Sequence, residues 1–235
     1  MMKQLTLDIA PAPQPAFGNF VAGNNVQVIA ALRAALSGPP SERELCLWGE
    51  EGSGKTHLLK AGAAFAGESR AAYIACANAG FAPADFAGLD AGAQLAVDDV
   101  DQLDDAGQIA LFNLINRRKA AGAHGALIVS CKKPPARTGL RADLASRLAQ
   151  SLVLEVVALS DADKAAALAQ HAQSRGIKLA DDVTRYLLTR VKRDLPTLIA
   201  VLDALDRYSL EQQRPVTVPL LRDILQSQLD LGEPR

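Results

Sequence analysis

The chain has 235 residues, a formal net charge of -1 and 49% hydrophobic residues. This length accommodates one large domain or two small ones, and the near-neutral charge gives no indication of a nucleic-acid or membrane surface. No apolar run approaches the ~20 residues of a membrane-spanning helix, and the first residues contain no signal-peptide core. Cys46, Cys76 and Cys131 show no C-x-x-C spacing, so neither a metal nor a disulfide is indicated. We therefore expect a cytoplasmic protein without membrane association.

The first 16 residues form a tail whose proline-rich end should be extended and unable to join a core. Before the prolines, apolar and polar residues alternate from Gln4 onward, and the apolar ones are Leu5, Leu7 and Ile9. The pattern fits a peptide whose apolar side chains fill pockets on another protein. It fits an edge strand or a frayed terminus equally well.

Strand and helix patterns alternate from Phe17 to about residue 159. A helix rich in Ala, Leu and Ile is predicted to end near Ser37, where glycine and prolines follow. The predicted strands are Glu44–Trp48, Ala71–Cys76, Gln94–Val100, Ala126–Cys131 and Leu152–Ala158. Helices are predicted directly after the glycine-rich segment Gly49–Thr56 and over Asp105–Lys119. Since strand and helix alternate, we expect an α/β domain with a parallel sheet flanked by helices.

From Ser160 onward the sequence shows helical patterns only. Ser160–Asp163 is typical of a helix amino-terminal cap and precedes a predicted helix over Lys164–Arg175. The further predicted helices are Asp181–Lys192, Asp194–Tyr208 and Val218–Leu229. We therefore expect three parts: a tail over residues 1–16, the α/β domain over 17–159 and a small all-helical domain over 160–235.

Gly49–Thr56 fits G-x-x-x-x-G-K-[ST], the loop that surrounds nucleotide phosphates. An apolar strand enters the motif and a helix leaves it, as the motif requires. The glycines allow a tight turn that points backbone N–H groups at phosphate oxygens. Lys55 would reach the β- and γ-phosphates, and the Thr56 hydroxyl would hold Mg²⁺. The alternative is a glycine-rich turn with an exposed lysine.

Two adjacent carboxylates, Asp98 and Asp99, lie at the carboxyl end of the third predicted strand. Open α/β sheets bind ligands at the carboxyl ends of their strands. Asp98 would hold the Mg²⁺ that Thr56 also contacts, and Asp99 would orient or activate a water. The alternative is that Asp99 or Asp101 merely begins the next helix.

Two arginines are candidates for phosphate contacts. Arg147 follows the strand end at Ile128–Pro135 closely, and an arginine suits a phosphate on its own site or on a neighbour. Taken singly, an arginine in a helical segment is more often a solvated surface residue. Arg193 begins an amphipathic helix of the small domain and could reach a bound nucleotide from there.

Together the motifs resemble the DnaA family of bacterial replication initiators. Five of them occur in the order seen in DnaA: Gly54–Leu59, Asp98-Asp99, Ser130 with Pro134-Pro135, Asp143–Leu148 and Lys192–Leu195. The segment from Phe17 to Asn25 also resembles the DnaA segment that encloses adenine. The resemblance covers residues 17 to about 228 and implies an AAA+ P-loop domain followed by a helical lid.

The resemblance also implies an adenine nucleotide, ADP or ATP, with Mg²⁺. Arg193 is then similar to the lid arginine that contacts the chain's own nucleotide. The residues implied for the nucleotide are Phe20, Val21, Glu51, Gly52, Ser53, Gly54, Lys55, Thr56, His57, Asp99 and Arg193, and those for Mg²⁺ are Thr56 and Asp98.

The tail resembles the peptide that binds the replication sliding clamp, the beta subunit of DNA polymerase III, through Gln4, Leu5, Leu7 and Ile9. A DnaA-like module with such a tail implies a negative regulator of replication initiation. The chain would bind the DNA-loaded clamp, contact DNA only indirectly, and pair with ATP-bound DnaA. Arg147 would then stimulate hydrolysis of the ATP on DnaA as an arginine finger in trans. A homo-oligomer is left open.

One residue departs from the family pattern. Lys132 stands where DnaA-like proteins usually have an acidic residue, and a lysine cannot accept a proton from an attacking water. We therefore expect weak or no ATP hydrolysis by the chain itself. An alternative is an AAA+ ATPase that acts as a DnaC-like helicase loader or DNA remodeller. A nucleotide kinase is a third reading, for which the arginine motifs give no support.

Overall fold

The computed structural model describes residues 14–37, 43–67, 71–191 and 194–229. Internal contacts divide the chain into two compact units, one over Gln14–Ala158 and the other beginning at Leu159. Each unit has its own core of buried apolar side chains. In the described part of the chain, no helix is both long enough and apolar enough to cross a membrane.

A five-stranded sheet forms the centre of the first unit. Its strands are β1 (Glu44–Trp48), β2 (Ala71–Ala75), β3 (Gln94–Asp98), β4 (Leu127–Cys131) and β5 (Leu152–Glu155). They lie in the order β2-β3-β4-β1-β5, and every pair is parallel. The three central strands are buried on both faces, which explains why they appear in the sequence as continuous apolar runs. The predicted α/β fold class is confirmed.

Helices cover both faces of this sheet. They are α1 (Val26–Ser37), α2 (Lys55–Ala66), α3 (Asp105–Ala120) and α4 (Ala142–Ala149). Leu45 and Leu47 of β1 share a core with α1 and α2, whereas Cys46 between them shares a core with α3 and α4. This alternation follows from the two-residue side-chain period of a strand.

The second unit consists of helices α5 (Asp161–Ser174), α6 (Asp181–Arg190), α7 (Leu195–Gln212) and α8 (Val218–Leu229). The hydroxyl of Ser160 accepts from the backbone N–H of Asp163 at the start of α5, so this helix begins at residue 161 rather than at the predicted 164. Asp194 caps α7 in the same way, because its carboxylate accepts from the N–H of Thr197 at 2.9 Å. These caps satisfy backbone donors that a helix start leaves free.

Four of the strands are shorter than the apolar runs predict, and only β1 has the predicted bounds. β3 ends at Asp98 because Asp99 adopts a left-handed backbone conformation, with φ of 56° and ψ of 50°. β5 ends at Glu155, although the N–H of Val156 still donates to the carbonyl of Trp48 at 2.7 Å. The predicted runs therefore include buried residues that lie beyond the last strand position.

Candidate functional site

The P-loop connects the carboxyl end of β1 to the first residue of α2. Its backbone requires glycine at positions 52 and 54, where φ is +78° and +102°. A Cβ on Gly54 would lie 2.7 Å from Cε2 of Phe20, and a Cβ on Gly49 would lie 2.3 Å from the carbonyl oxygen of Val156. The loop is therefore closely packed from two sides. The backbone conformation requires glycine at position 52, the lack of space requires it at position 49, and both requirements apply at position 54.

Lys55 is folded back over this loop. Its Nζ donates to the carbonyl oxygens of Gly49 at 2.7 Å and Glu50 at 2.9 Å, and only 7% of the residue is exposed. Burial lowers the pKa of Lys55, while the nearby carboxylates of Asp99 and Asp98 oppose that shift. The ammonium group is thus held beside the loop backbone and between the loop and two acidic residues.

A buried hydroxyl shows that the loop fits a phosphate group. Ser53 is 4% exposed, and its Oγ has no hydrogen-bond partner among the described residues. An unpaired buried hydroxyl costs free energy, and a phosphate oxygen would satisfy it. Thr56 presents its side chain to solvent one residue after Lys55, and Glu51 and Gly52 are exposed at the tip of the loop. The chain therefore offers the donors that a nucleotide phosphate requires.

Asp98 is held by hydroxyl groups from both neighbouring strands. It is 2% exposed, and its Oδ2 accepts from the hydroxyl of Tyr73 on β2 at 2.7 Å. Its Oδ1 accepts from the hydroxyl of Ser130 on β4, and the Ser130 oxygen in turn accepts from the backbone N–H of Asp99 at 2.9 Å. An oxygen ligand next to a phosphate loop suits Mg²⁺, which takes only one or two carboxylates in such sites.

Tyr73 was not indicated by the sequence. The register of β2 and β3 pairs Tyr73 with Ala96 and Ala75 with Asp98, so the tyrosine lies two positions before the residue that faces Asp98. Tyrosine is common in strands, so its presence alone indicates no role. Only the pairing of β2 with β3 brings its hydroxyl to Asp98. The available signal was a polar tip within an otherwise apolar strand.

Asp99 lies in a group of opposing charges. Burial raises the pKa of Asp99, and the carboxylates of Asp98 and Asp101 raise it further, whereas Lys55 and Lys132 lower it. Lys132 is exposed, and its backbone N–H donates to Oδ1 of Asp101 at 3.2 Å. The structure therefore places the lysine that departs from the family pattern within electrostatic reach of the proposed catalytic carboxylate.

The segment from Phe17 to Asn25 packs against the P-loop and the start of α2. The ring of Phe20 lies 5.3 Å from the ring of His57, and Nε2 of His57 lies 3.1 Å from the carbonyl oxygen of Ala16. Asn25 anchors the segment, since its side-chain amide exchanges two hydrogen bonds of 2.8 Å with the backbone of Val157. Val21 is half-buried between these anchors. The segment is thus fixed beside the loop.

Arg147 lies elsewhere in the same unit. Its guanidinium donates to Oδ1 of Asn116 at 2.6 Å and to Oε1 of Gln150 at 3.4 Å. It lines a small cavity together with Glu44, the first residue of β1, and Leu127, the first residue of β4. The P-loop follows the last residue of β1, about 13 Å further along the strand. The guanidinium is therefore at the amino end of the sheet, and the phosphate loop is at the carboxyl end.

The structure brings most of the predicted nucleotide residues together. The P-loop, Asp98 and Asp99 form one group, with Phe20 and His57 beside the loop, and Arg147 lies apart from it. Arg193 and the clamp-binding residues predicted in the tail, namely Gln4, Leu5, Leu7 and Ile9, lie outside the described residues.

Comparison with a family model matches residues 161–225 to the description "Hda, lid domain". A Haemophilus influenzae protein described as uncharacterized is 34% identical over 233 residues, which cover 96% of this chain and 99% of that protein. Domain III of the Thermotoga maritima replication initiation protein DnaA superposes with a TM-score of 0.68 at 21% identity, covering 94% of this chain and all of that domain.

Two further solved structures share the fold. AMPPCP-bound DnaA from Aquifex aeolicus gives a TM-score of 0.62 at 19% identity, with 88% of this chain and 71% of that chain covered. A Thermotoga maritima RuvB mutant gives 0.65 at 17% identity, with 95% and 74% covered. At these identities the superpositions show the fold alone, a parallel sheet domain followed along the chain by a helical domain.

Proposed function

This chain belongs to the Hda/DnaA-like AAA+ proteins, and from that premise we propose that it is a negative regulator of DNA replication initiation. In the proposed mechanism the chain holds ADP, binds the DNA-loaded beta sliding clamp of DNA polymerase III through its tail, and pairs with ATP-bound DnaA. Arg147 then acts in trans and stimulates hydrolysis of the ATP on DnaA. The product is DnaA with ADP, which is inactive for initiation.

The position of Arg147 carries this proposal. Because its guanidinium lines a cavity with Glu44 at the amino end of β1, it is remote from the P-loop at the other end of that strand. The side chain is half-buried and is held by Asn116 and Gln150, and among the described residues no carboxylate forms an ion pair with it, although Glu44 lines the same cavity. A restrained cation that cannot serve its own site is available to a nucleotide on a neighbouring chain.

The P-loop supports the binding of an adenine nucleotide. Ser53, Lys55 and the backbone N–H groups of the loop would contact the phosphates, and Thr56 and Asp98 would hold Mg²⁺. Mg²⁺ held there by Thr56 and Asp98 would offset the negative charge of the phosphates. Phe20 and Val21 would enclose the base, and Arg193 would contact the phosphates from the lid. That solved DnaA structures contain AMPPCP supports this choice of nucleotide.

Lys132 supports a protein that binds a nucleotide as a switch rather than one that hydrolyses ATP by itself. It lies close enough to Asp99 to lower the pKa of that carboxyl, while its own ammonium group can only donate hydrogen bonds. The chain would therefore lack a proton acceptor at this strand end and would turn over ATP slowly. Replacing Lys132 by Asp should raise the intrinsic rate of ATP hydrolysis. The same change at Lys133, the exposed neighbouring residue, should leave that rate unchanged.

The decisive experiment measures hydrolysis of labelled ATP on DnaA with clamp-loaded DNA. The chain is compared with Arg147→Ala and with Arg137→Ala, an exposed arginine in the same stretch. Because an arginine finger contributes roughly 10³–10⁵ in rate, we expect Arg147→Ala to abolish the stimulation and Arg137→Ala to retain it. Binding of each variant to DnaA is measured separately. Equal stimulation by the chain and by Arg147→Ala would rule out the mechanism in trans.

A second candidate function follows from the complete set of Lys55, Asp98 and Asp99. These residues suffice in principle for an AAA+ ATPase that loads a helicase or remodels DNA, as DnaC-like proteins do. That function requires steady ATP turnover by the purified chain and an increase on adding single-stranded DNA. The same assay without DnaA therefore separates the two functions.

A further inference from the structure

The carboxylate of Asp98 is oriented by groups outside the P-loop motif. Only 2% of the residue is exposed, and an ionised carboxylate buried to this extent requires hydrogen bonds to be stable. Tyr73 donates to one of its oxygens and Ser130 to the other. A carboxylate offers about four lone-pair sites, so two remain for a metal ion or for metal-bound water.

Tyr73 reaches Asp98 from beneath α2. The Nζ of Lys60 lies 5.2 Å from the centroid of the tyrosine ring. Lys60 is four residues after Thr56, so both project from the same face of the helix. The phenol therefore extends from β2 under this face and ends at Oδ2 of Asp98, on the side where the proposed metal ligand Thr56 lies.

The phenol is a dependable donor at this position. A phenol carries one donor hydrogen, and here its hydroxyl lies 2.7 Å from Oδ2 of Asp98. The side chain is also fixed at its ring by Lys60 and at its tip by Asp98. Both constraints favour one orientation of the carboxylate.

We propose that Tyr73 is a positioning residue for the Mg²⁺ of the nucleotide site: by holding Oδ2 of Asp98, its hydroxyl directs the free lone pairs of that carboxylate toward the metal. Partners of this kind orient a metal-binding carboxylate, and their loss weakens metal binding by ~10- to 100-fold. This inference rests on the nucleotide site proposed above and is independent of any action on DnaA.

The test compares Tyr73→Phe with Tyr186→Phe. The first change removes the hydroxyl and keeps the ring against Lys60, and the second makes the same change in α6 of the other unit, where the ring contacts Arg222 at 5.9 Å. Mn²⁺ replaces Mg²⁺ as the probe, and its affinity for the complex of the chain with ADP is measured by electron paramagnetic resonance. Affinity for ADP alone is measured in EDTA through the fluorescence of Trp48, the single tryptophan, which directly precedes the P-loop.

We expect Tyr73→Phe to bind Mn²⁺ ~10- to 100-fold more weakly, with unchanged affinity for ADP in EDTA and a melting temperature lowered by only a few degrees, because one hydrogen bond to a buried carboxylate is lost. Tyr186→Phe should match the unsubstituted chain in all three measurements. Unchanged Mn²⁺ affinity in Tyr73→Phe overturns the inference, and so does a parallel loss of ADP affinity in EDTA, because the effect would then be general to the fold. If the unsubstituted chain binds no ADP, the nucleotide site itself is refuted, which is a distinguishable result.

Discussion

At the scale of single residues, Gly54 combines two constraints that can be separated experimentally. Its φ of +102° disfavours any side chain, and a Cβ would lie 2.7 Å from Cε2 of Phe20. Gly52 has a similar φ of +78° and no atom within 4 Å of the corresponding Cβ. The two glycines therefore share the backbone constraint, and only one of them has the steric contact.

We predict that Gly54→Ala destabilises the chain more than Gly52→Ala and abolishes nucleotide binding. The backbone term should be about 1–3 kcal/mol for each, and the contact with Phe20 adds to it only at position 54. Urea unfolding and ADP titration measure the two effects. Combining Gly54→Ala with Phe20→Leu should recover part of the lost stability, and a double variant no more stable than the single one would contradict the steric explanation.

The raised pKa of Asp99 leads us to predict an unusual dependence of the free energy of unfolding on pH. Because burial raises its pKa above the ordinary 3.8, the folded chain holds a proton in a pH range where the unfolded chain has already lost it. This residue therefore makes the free energy of unfolding fall as pH rises above about 4. Asp99→Asn removes the effect, and asparagine tolerates the left-handed backbone at φ of 56°.

We expect Asp99→Asn to melt a few degrees higher than the unsubstituted chain at neutral pH in metal-free buffer. The difference should shrink as the pH falls below about 4, because the aspartate then becomes protonated in both states. Thermal melts at several pH values measure it. A difference that is constant with pH would show that the gain does not come from the charge.

How far the site could be predicted depends on whether its residues are close in sequence. The P-loop and the adjacent pair Asp98 and Asp99 are contiguous, so their chemistry is visible without a structure. Tyr73 and Ser130 reach Asp98 only because β2 and β4 lie on either side of β3. Sequence alone did not determine that order of strands, and a hydroxyl residue in a strand is too common to be informative.

At the scale of elements, Asn25 links the start of α1 to the chain just beyond β5. Its side chain makes both a donor and an acceptor hydrogen bond with the backbone of Val157, 132 positions away, and 1% of it is exposed. Removing it leaves the N–H and the carbonyl of Val157 without these two partners at a partly buried position. Each lost hydrogen bond lowers stability because water replaces it only in part.

We predict that Asn25→Ala lowers the free energy of unfolding by about 1–3 kcal/mol, the loss of two hydrogen bonds. The matched control is Asn24→Ala, since Asn24 is adjacent and exposed, and it should change stability by less than about 0.5 kcal/mol. Urea denaturation measures both variants. Similar losses at the two positions would mean that helix propensity, and not the link to Val157, determines the result.

The boundaries of the strands show whether an apolar run in the sequence predicts burial or strand pairing. The run from Gln94 predicted a strand through Val100, whereas the strand ends at Asp98 and Val100 is fully buried in the core beyond it. Val156 is likewise buried after the end of β5. Apolar runs therefore predicted burial correctly and strand pairing only in part. The helix caps, in contrast, depend on local hydrogen bonds, and the Ser160 cap was visible in the sequence.

At the scale of the whole molecule, the fold class followed from the alternation of strands and helices and from the change to helices alone near residue 160. Each of the two compact units contains a separate core, and the core of the second unit includes Leu168, Leu187 and Leu202. The helical periodicity of such residues is a local signal. The proposed clamp partner, in contrast, rests on the tail alone, so the tail is the part to test for clamp binding.

We predict that replacing Leu5 and Leu7 by Ala abolishes binding to the beta sliding clamp and leaves ADP binding unchanged. In an extended peptide alternate side chains enter pockets, so replacing the intervening Thr6 and Asp8 by Ala should have a much smaller effect. Surface plasmon resonance with immobilised clamp measures the affinities. Retained clamp binding after deletion of residues 4–9 would refute the assignment of the tail.

The distance between Arg147 and the P-loop along β1 gives the sheet domain two unlike ends. An assembly in which the arginine of one chain reaches the phosphate loop of the next is head-to-tail, so it has a direction and no two-fold axis. One chain can then supply its arginine to a neighbour on one side while its own loop receives from the other side. In a filament formed by this chain and another protein, the chain would therefore present its arginine at one end and its phosphate loop at the other. Arg147→Ala would impair only the contact made by the arginine end.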